Sequence, residues 1–184
     1  VSRQFWTELL AWATADGTAI ANNAAETIIF NDVTIPANYM QDGRSLILFA
    51  SGKYSTTATP TLRFRVRWGG VAGVLLLDSG TVTLPTVTNA IWWIEATLQT
   101  RSNGSTGTIF GMGLLVINGT TAPTVGSATG APAIATMSAG GLSAPAASTV
   151  DLTTDKALSL TATWSAASAS NTLTGHNYHL ISGN

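Results

Sequence analysis

From Leu62 to Trp68 the chain reads Leu-Arg-Phe-Arg-Val-Arg-Trp, an unbroken alternation of apolar residues and arginines. A β-strand sends successive side chains to opposite faces, whereas a helix would scatter these arginines around its axis. The segment is therefore predicted to be a strand with Leu62, Phe64, Val66 and Trp68 turned to a core and Arg63, Arg65 and Arg67 turned away from it. A one-residue slip would bury all the guanidinium groups, so this strand fixes which side of its sheet is inside.

The same texture runs from about Glu26 onward, in short segments rich in Val, Ile, Leu, Phe, Trp and Thr divided by Gly, Pro, Asn and Asp. Strands are predicted at Thr27–Ile35, Arg44–Ser51, Thr61–Trp68, Val71–Leu77, Ile91–Arg101, Thr108–Ile117, Thr149–Leu152, Ala157–Trp164 and Thr172–Ile181. So many short strands define an all-β chain, folded as an antiparallel β-sandwich of the jelly-roll kind. Within Ile91–Arg101, Trp92, Ile94, Ala96 and Leu98 share one face, and Trp93, Glu95, Thr97 and Gln99 share the other. The Asn103-Gly104 pair then predicts a hairpin with a type I′ turn, in which both central residues take positive φ. Between Asn118 and Ser148 the chain is dominated by Ala, Gly, Ser, Thr and Pro, which suits a long surface loop carrying one irregular strand.

The N-terminal segment differs. Phe5, Leu9 and Trp12 recur at i, i+4 and i+7, with Trp6, Leu10 and Ala13 beside them, before Asp16-Gly17 closes the run. That spacing is an apolar stripe at helical period. It is compatible with a terminal helix packed on its own domain, with an arm that docks on a partner, and with a segment that is disordered when alone. The chain accordingly divides into a helical or extended N-terminal arm, residues 1–24, and a β-sandwich domain, residues 25–184.

Asp, Glu, Lys and Arg make up 9% of the 184 residues, against about 25% in ordinary globular domains. Mean hydropathy is +0.28. Such a chain wets its surface with Ser, Thr, Asn and Gly, or lays much of it against other protein; both are expected here, and an obligate oligomer follows. The net charge of −1 argues against nucleic acid and membrane surfaces, whose partners carry a basic field. No apolar run approaches the roughly 20 residues that span a bilayer. With no cysteine, disulfide scaffolds and cysteine-ligated zinc are excluded.

Catalytic chemistry finds little footing. His176 and His179 stand three apart on a predicted strand, which places them on opposite faces and disfavours a shared metal. No G-x-S-x-G elbow is present, and Glu26, Asp32, Asp78, Glu95, Asp151 and Asp155 are scattered rather than paired as acid and base. Gly69-Gly70 and Gly111-Met112-Gly113 lack the Gly-Lys-Ser/Thr of a phosphate loop. The expectation is a protein without enzymatic activity, cofactor or metal.

Partner surfaces are better candidates. Arg63, Arg65 and Arg67 read either as a solvated stripe that guards a sheet or as an inter-subunit salt-bridge ladder. Trp92-Trp93 places large rings on both faces of one strand, so one ring is core and the other needs a cover. Trp93, with Trp164 and Tyr178 on the C-terminal strands, forms the candidate oligomer interface together with the arginines, because aromatic residues dominate buried interface centres. An intrachain aromatic cluster is the competing reading.

The strings Ala15-Asp16-Gly17-Thr18-Ala19, Val33-Thr34-Ile35-Pro36-Ala37-Asn38-Tyr39 and Arg65-Val66-Arg67-Trp68-Gly69-Gly70 have a recognisable cast. With Trp92-Trp93, Arg101-Ser102-Asn103-Gly104, and the stretches Val150–Thr153 and Trp164–Thr174, the chain resembles structural proteins of tailed bacteriophages. It is most similar to the small, tumour-necrosis-factor-like jelly-roll proteins that decorate capsids. The resemblance implies a non-enzymatic homotrimer on the outer capsid surface of a virion, clamping neighbouring copies of the major capsid protein and so favouring the assembled shell by mass action. Only the resemblance chooses three copies over two. The stripe of Phe5, Trp6, Leu9, Leu10 and Trp12 is the expected capsid-facing arm, on its own pattern rather than on the resemblance. The alternative is a head-fibre or tail-fibre host-recognition module that binds surface glycans through Ser/Thr/Asn-rich loops. A glycan-cleaving enzyme lacks a credible pair of acids.

Overall fold

The computed structural model describes residues 6–118, 133–139 and 145–183. These residues form an all-β, antiparallel β-sandwich. Its strands are β1 (Thr7–Trp12), β2 (Ile20–Ala21), β3 (Thr27–Ile28), β4 (Val33–Ile35), β5 (Ser45–Thr56), β6 (Thr61–Trp68) and β7 (Val74–Asp78). They continue with β8 (Val82–Thr83), β9 (Val87–Ser102), β10 (Gly107–Ile117), β11 (Ala133–Ser138), β12 (Ala147–Val150), β13 (Lys156–Trp164) and β14 (Thr172–Gly183).

One layer has the order β1-β14-β5-β9-β10, and the other the order β7-β6-β13, with β3 and β4 both paired to β13. The chain passes back and forth between the layers, the winding of a jelly roll. Strand β11 runs along β10 and touches β7 through the single pair Ser138↔Asp78, which joins the two layers at one edge. Between them lies the core. Trp92 of β9 meets Phe64 of β6 with ring centroids 5.1 Å apart, among fully buried Leu46, Leu48, Leu62, Ile94, Leu98 and Leu180. Strand β6 alternates between half-buried and buried at every position, as its sequence requires.

The helical reading of the N-terminal stripe is overturned. Residues Thr7–Trp12 are a strand on the edge of β14, pairing Leu9 with Ile181 and Trp12 with His179 across a register shift between Leu9 and Ala11. That irregularity explains the misleading period. Ile181 and His179 stand two apart and share a face of β14, so Leu9 and Trp12 share a face as well, but the extra residue in β1 spaces them by three. A bulged strand thereby imitates a helical stripe.

Two smaller expectations also change. Thr27–Ile35 is not one strand but β3 and β4, separated by a turn that buries Ile29 against the same partner, β13. The hairpin after β9 exists, but of its two central candidates only Gly104 has positive φ, at 99°. It is closed by Gly107 N–H donating to the Gly104 carbonyl at 3.1 Å rather than by a type I′ turn. Asn103 is held instead from outside, its N–H on Asp42 and its amide on Gln41. The irregular strand expected in the Ala/Gly-rich stretch corresponds to β11.

Candidate interaction surfaces

The outward face of each layer follows from strand register. On the β6-β13 layer the arginine stripe lies over Ser159, Thr161 and Thr163 of β13. Arg63 binds Asp78 through Nε at 2.8 Å and also through Nη2. Arg65 reaches Glu26 at 2.8 Å and Asp78 at 3.5 Å. Arg67 grips both oxygens of Glu26, at 2.6 and 2.8 Å, and Thr161 donates its hydroxyl to the same carboxylate at 2.5 Å.

Burial opposes the ionisation of Glu26, but hydrogen bonds from Arg67 and Thr161 and the charges of Arg65 and Arg67 outweigh it and hold the carboxyl below its usual range. Asp78 behaves alike: burial opposes its charge, and Arg63, the Gly80 N–H and the charge of Arg65 overcome that cost. Within the chain, Arg63, Arg65 and Arg67, expected as a solvated stripe or an inter-subunit ladder, form an ion-pair network with Glu26 and Asp78, with the Arg63 side chain still partly exposed.

The opposite layer presents a different surface. Reading register across its strands, one row runs Leu9, Ile181, Ile47, Thr97 and Met112, and the next runs Trp12, His179, Phe49, Glu95 and Leu114. A third runs Asn177, Ser51, Trp93, Val116 and Ile134. Across these rows the only carboxylate is Glu95, and no Lys or Arg occurs. Among the described residues, eight large hydrophobic side chains are exposed. Six of them, Leu9, Trp12, Ile91, Trp93, Met112 and Ile134, project from this layer. A shallow hollow of about 350 Å³ opens between Trp93, Phe49, Asn177 and His179.

Of the aromatic residues expected at an oligomer interface, Trp93 is on this face with 36% exposure. Trp164 and Tyr178 are not. Trp164 pairs in register with Leu62 and is 2% exposed, so it belongs to the chain's own core. Tyr178 is buried against the Phe30 ring, centroids 5.1 Å apart, and burial raises its hydroxyl pKa above the usual tyrosine value. The parity that makes Asn177 and His179 outward makes Tyr178 inward.

Of the expected docking arm, Phe5 lies outside the described residues. Trp6, Leu9 and Trp12 are exposed, while Leu10 turns inward and packs on the core. The arm is tied down at its start. Arg44 stacks over the Tyr39 ring at 4.3 Å and faces Trp6 at 5.6 Å, and Tyr39 donates its hydroxyl to Glu8 at 2.8 Å.

Among the described residues no group of three or more His, Cys, Asp or Glu side chains is placed together, His176 and His179 included. The bulge between Gly175 and Asn177 interrupts the alternation on which their opposite-face placement rested. His176 Nδ1 lies 2.7 Å from Asp16, and His179 faces Trp12 and Phe49 in register.

The apolar contributions of Ile47, Phe49, Met112, Leu114, Ile134 and Ile181 were missed at the level of sequence. Their signal was present in the runs Leu46-Ile47-Leu48-Phe49 and Leu114-Leu115-Val116-Ile117. A strand apolar on both faces expects a cover on both. Comparison with protein-family models, with curated proteins and with solved structures gave no match.

Proposed function

We propose that this chain is a non-enzymatic virion structural protein, a homotrimeric decoration protein that binds and stabilises the outer surface of a phage capsid. The observation that carries this reading is the largely apolar outer face of the β1-β14-β5-β9-β10 layer, whose three central rows hold one carboxylate, Glu95. A surface with Leu9, Trp12, Trp93, Met112 and Ile134 in adjoining rows is an interaction surface rather than a wetted one. Copies of the chain joining through it remove the Trp93 ring from water. The number three comes from the resemblance to capsid decoration proteins.

The arm supplies the second contact. Leu9 stands on the edge strand of the apolar face and Trp6, just before that strand, is exposed, and a strand edge with exposed apolar side chains suits a protein lattice. Each copy bound only to the assembled shell shifts the equilibrium between shell and free capsid protein, which is all that decoration requires.

Light scattering coupled to size exclusion at two concentrations tests the first step. The expected result is a concentration-independent mass three times 19.0 kDa. Co-sedimentation with capsids tests the second. A chain that stays monomeric at micromolar concentration and leaves capsids unbound overturns the proposal. A charged substitution, Trp93→Asp, is expected to reduce the trimer to monomer while circular dichroism of the chain is unchanged, since the side chain lies outside the core.

A further inference from the structure

The outer face of the β1-β14-β5-β9-β10 layer holds a charge that its own chain leaves unanswered. Glu95 is exposed on β9, and no described residue gives it a hydrogen bond or an ion pair. On its row, register sets His179 of β14 and Glu95 of β9 on either side of Phe49 of β5. Two strand spacings, about 10 Å, separate them, too far to pair within the chain. His179 is exposed as well, and no described residue gives it a polar partner.

Covering the face takes water away from Glu95. A carboxylate so removed is costly unless a donor, best a charged one, replaces its hydration. Among the described residues of the three central rows, Thr97, Ser51 and Asn177 are neutral donors, and His179 is the one side chain able to carry a positive charge. Lys53 lies at the border, exposed in the row of Thr174 and Ile91. Arg101 lies beyond Gln99 with its guanidinium over the Phe110 ring at 4.3 Å. The other histidine, His176, is turned to Asp16 at 2.7 Å.

A second copy of this chain therefore complements the face in charge as well as in apolar surface, since the row that carries the carboxylate also carries the imidazole. We propose that, where two copies meet through this face, Glu95 of one pairs with the imidazolium of His179 of the partner subunit, so that assembly above neutral pH takes up a proton from solvent. The inference rests on the reading that copies join through this face, and it adds the polar contact that selects which rows meet. Histidine side chains ordinarily titrate at about pH 6.5. Below that value the imidazolium is already present, and above it the neutral ring has to be protonated on assembly, so contacts between copies loosen as pH rises.

The test is exchange of copies between unlabelled and isotope-labelled full chain, incubated at about pH 6 and about pH 8 and read by native mass spectrometry. Exchange is expected to be about tenfold slower or more at the lower pH. His179→Gln and Glu95→Gln are each expected to abolish that difference, and His176→Gln and Lys53→Gln to keep it. His179→Glu, which sets carboxylate against carboxylate, is expected to release monomer. Glu95→His combined with His179→Glu is expected to restore the parent mass, a rescue that a structural role for either exposed side chain would not produce. If the parent assembles, then equal exchange at both pH values, a difference that follows His176 or Lys53, or no rescue by the exchanged pair overturns the pairing and leaves assembly through the face standing. A monomer at both pH values overturns the two together.

Discussion

Asp78 is a carboxylate almost wholly removed from water, and it survives there because Arg63, Arg65 and the Gly80 N–H surround it. Removing one partner of such a group leaves uncompensated charge behind. Asp78→Ala is expected to cost about 1–3 kcal/mol in urea unfolding at neutral pH, since the Arg63 guanidinium left behind is partly exposed and Arg65 keeps Glu26. The pH dependence has a definite sign. Asp78 and Glu26 both hold their protons less readily in the folded chain than in the unfolded one. Their stabilisation is complete above the ordinary carboxyl range of about pH 4 and is lost as pH falls through the lower folded values. Urea midpoints between pH 7 and pH 3 are expected to fall on acidification, and to fall less in Asp78→Asn. At this scale the sequence was legible on one side only. The alternation of Arg63, Arg65 and Arg67 revealed that they share a face, but Glu26 is brought to them by β3 pairing with β13, a long-range event that leaves no local pattern. Trp164 shows the converse: its chemistry suggested an interface, and its parity with Leu62 put it in the core.

Among the elements, β6 and β1 mark the two extremes of legibility. Strand β6 spans Thr61–Trp68, as its alternation predicts, because nothing interrupts its period. Strand β1 carries a bulge, and one extra residue was enough to turn a period of two into an apparent helical spacing. The start of the arm is held by the Trp6–Arg44–Tyr39–Glu8 cluster, whose members no pattern links in sequence. A cation over an exposed ring is worth about 0.5–1 kcal/mol. Arg44→Ala is therefore expected to speed hydrogen exchange of the β1 amides about threefold or more while leaving β6 and β13 amides unchanged. Equal acceleration throughout the sheet would show that Arg44 supports the whole fold rather than the arm.

For the whole molecule, the neighbours Trp92 and Trp93 set out the division of labour. Trp92 fills the space between the layers beside Phe64, and Trp92→Ala is expected to cost about 3–5 kcal/mol, read as a lower urea midpoint. Trp93→Asp, one residue on, is expected to change the mass in solution and not the midpoint of the isolated chain. The sandwich itself was legible because turn residues and short apolar runs recur along the chain, and the pairing order was not, because strands as distant as β1 and β14 meet only in three dimensions.

The two layers therefore give the molecule a direction. One outer face has its arginines paired from within by Glu26 and Asp78, and the other carries three central rows in which Glu95 is the one charged residue. Copies that meet through the bare face have no choice about which way the sealed one looks. A fold with one finished side and one unfinished side carries its own orientation signal, set by where a few arginines found their acids.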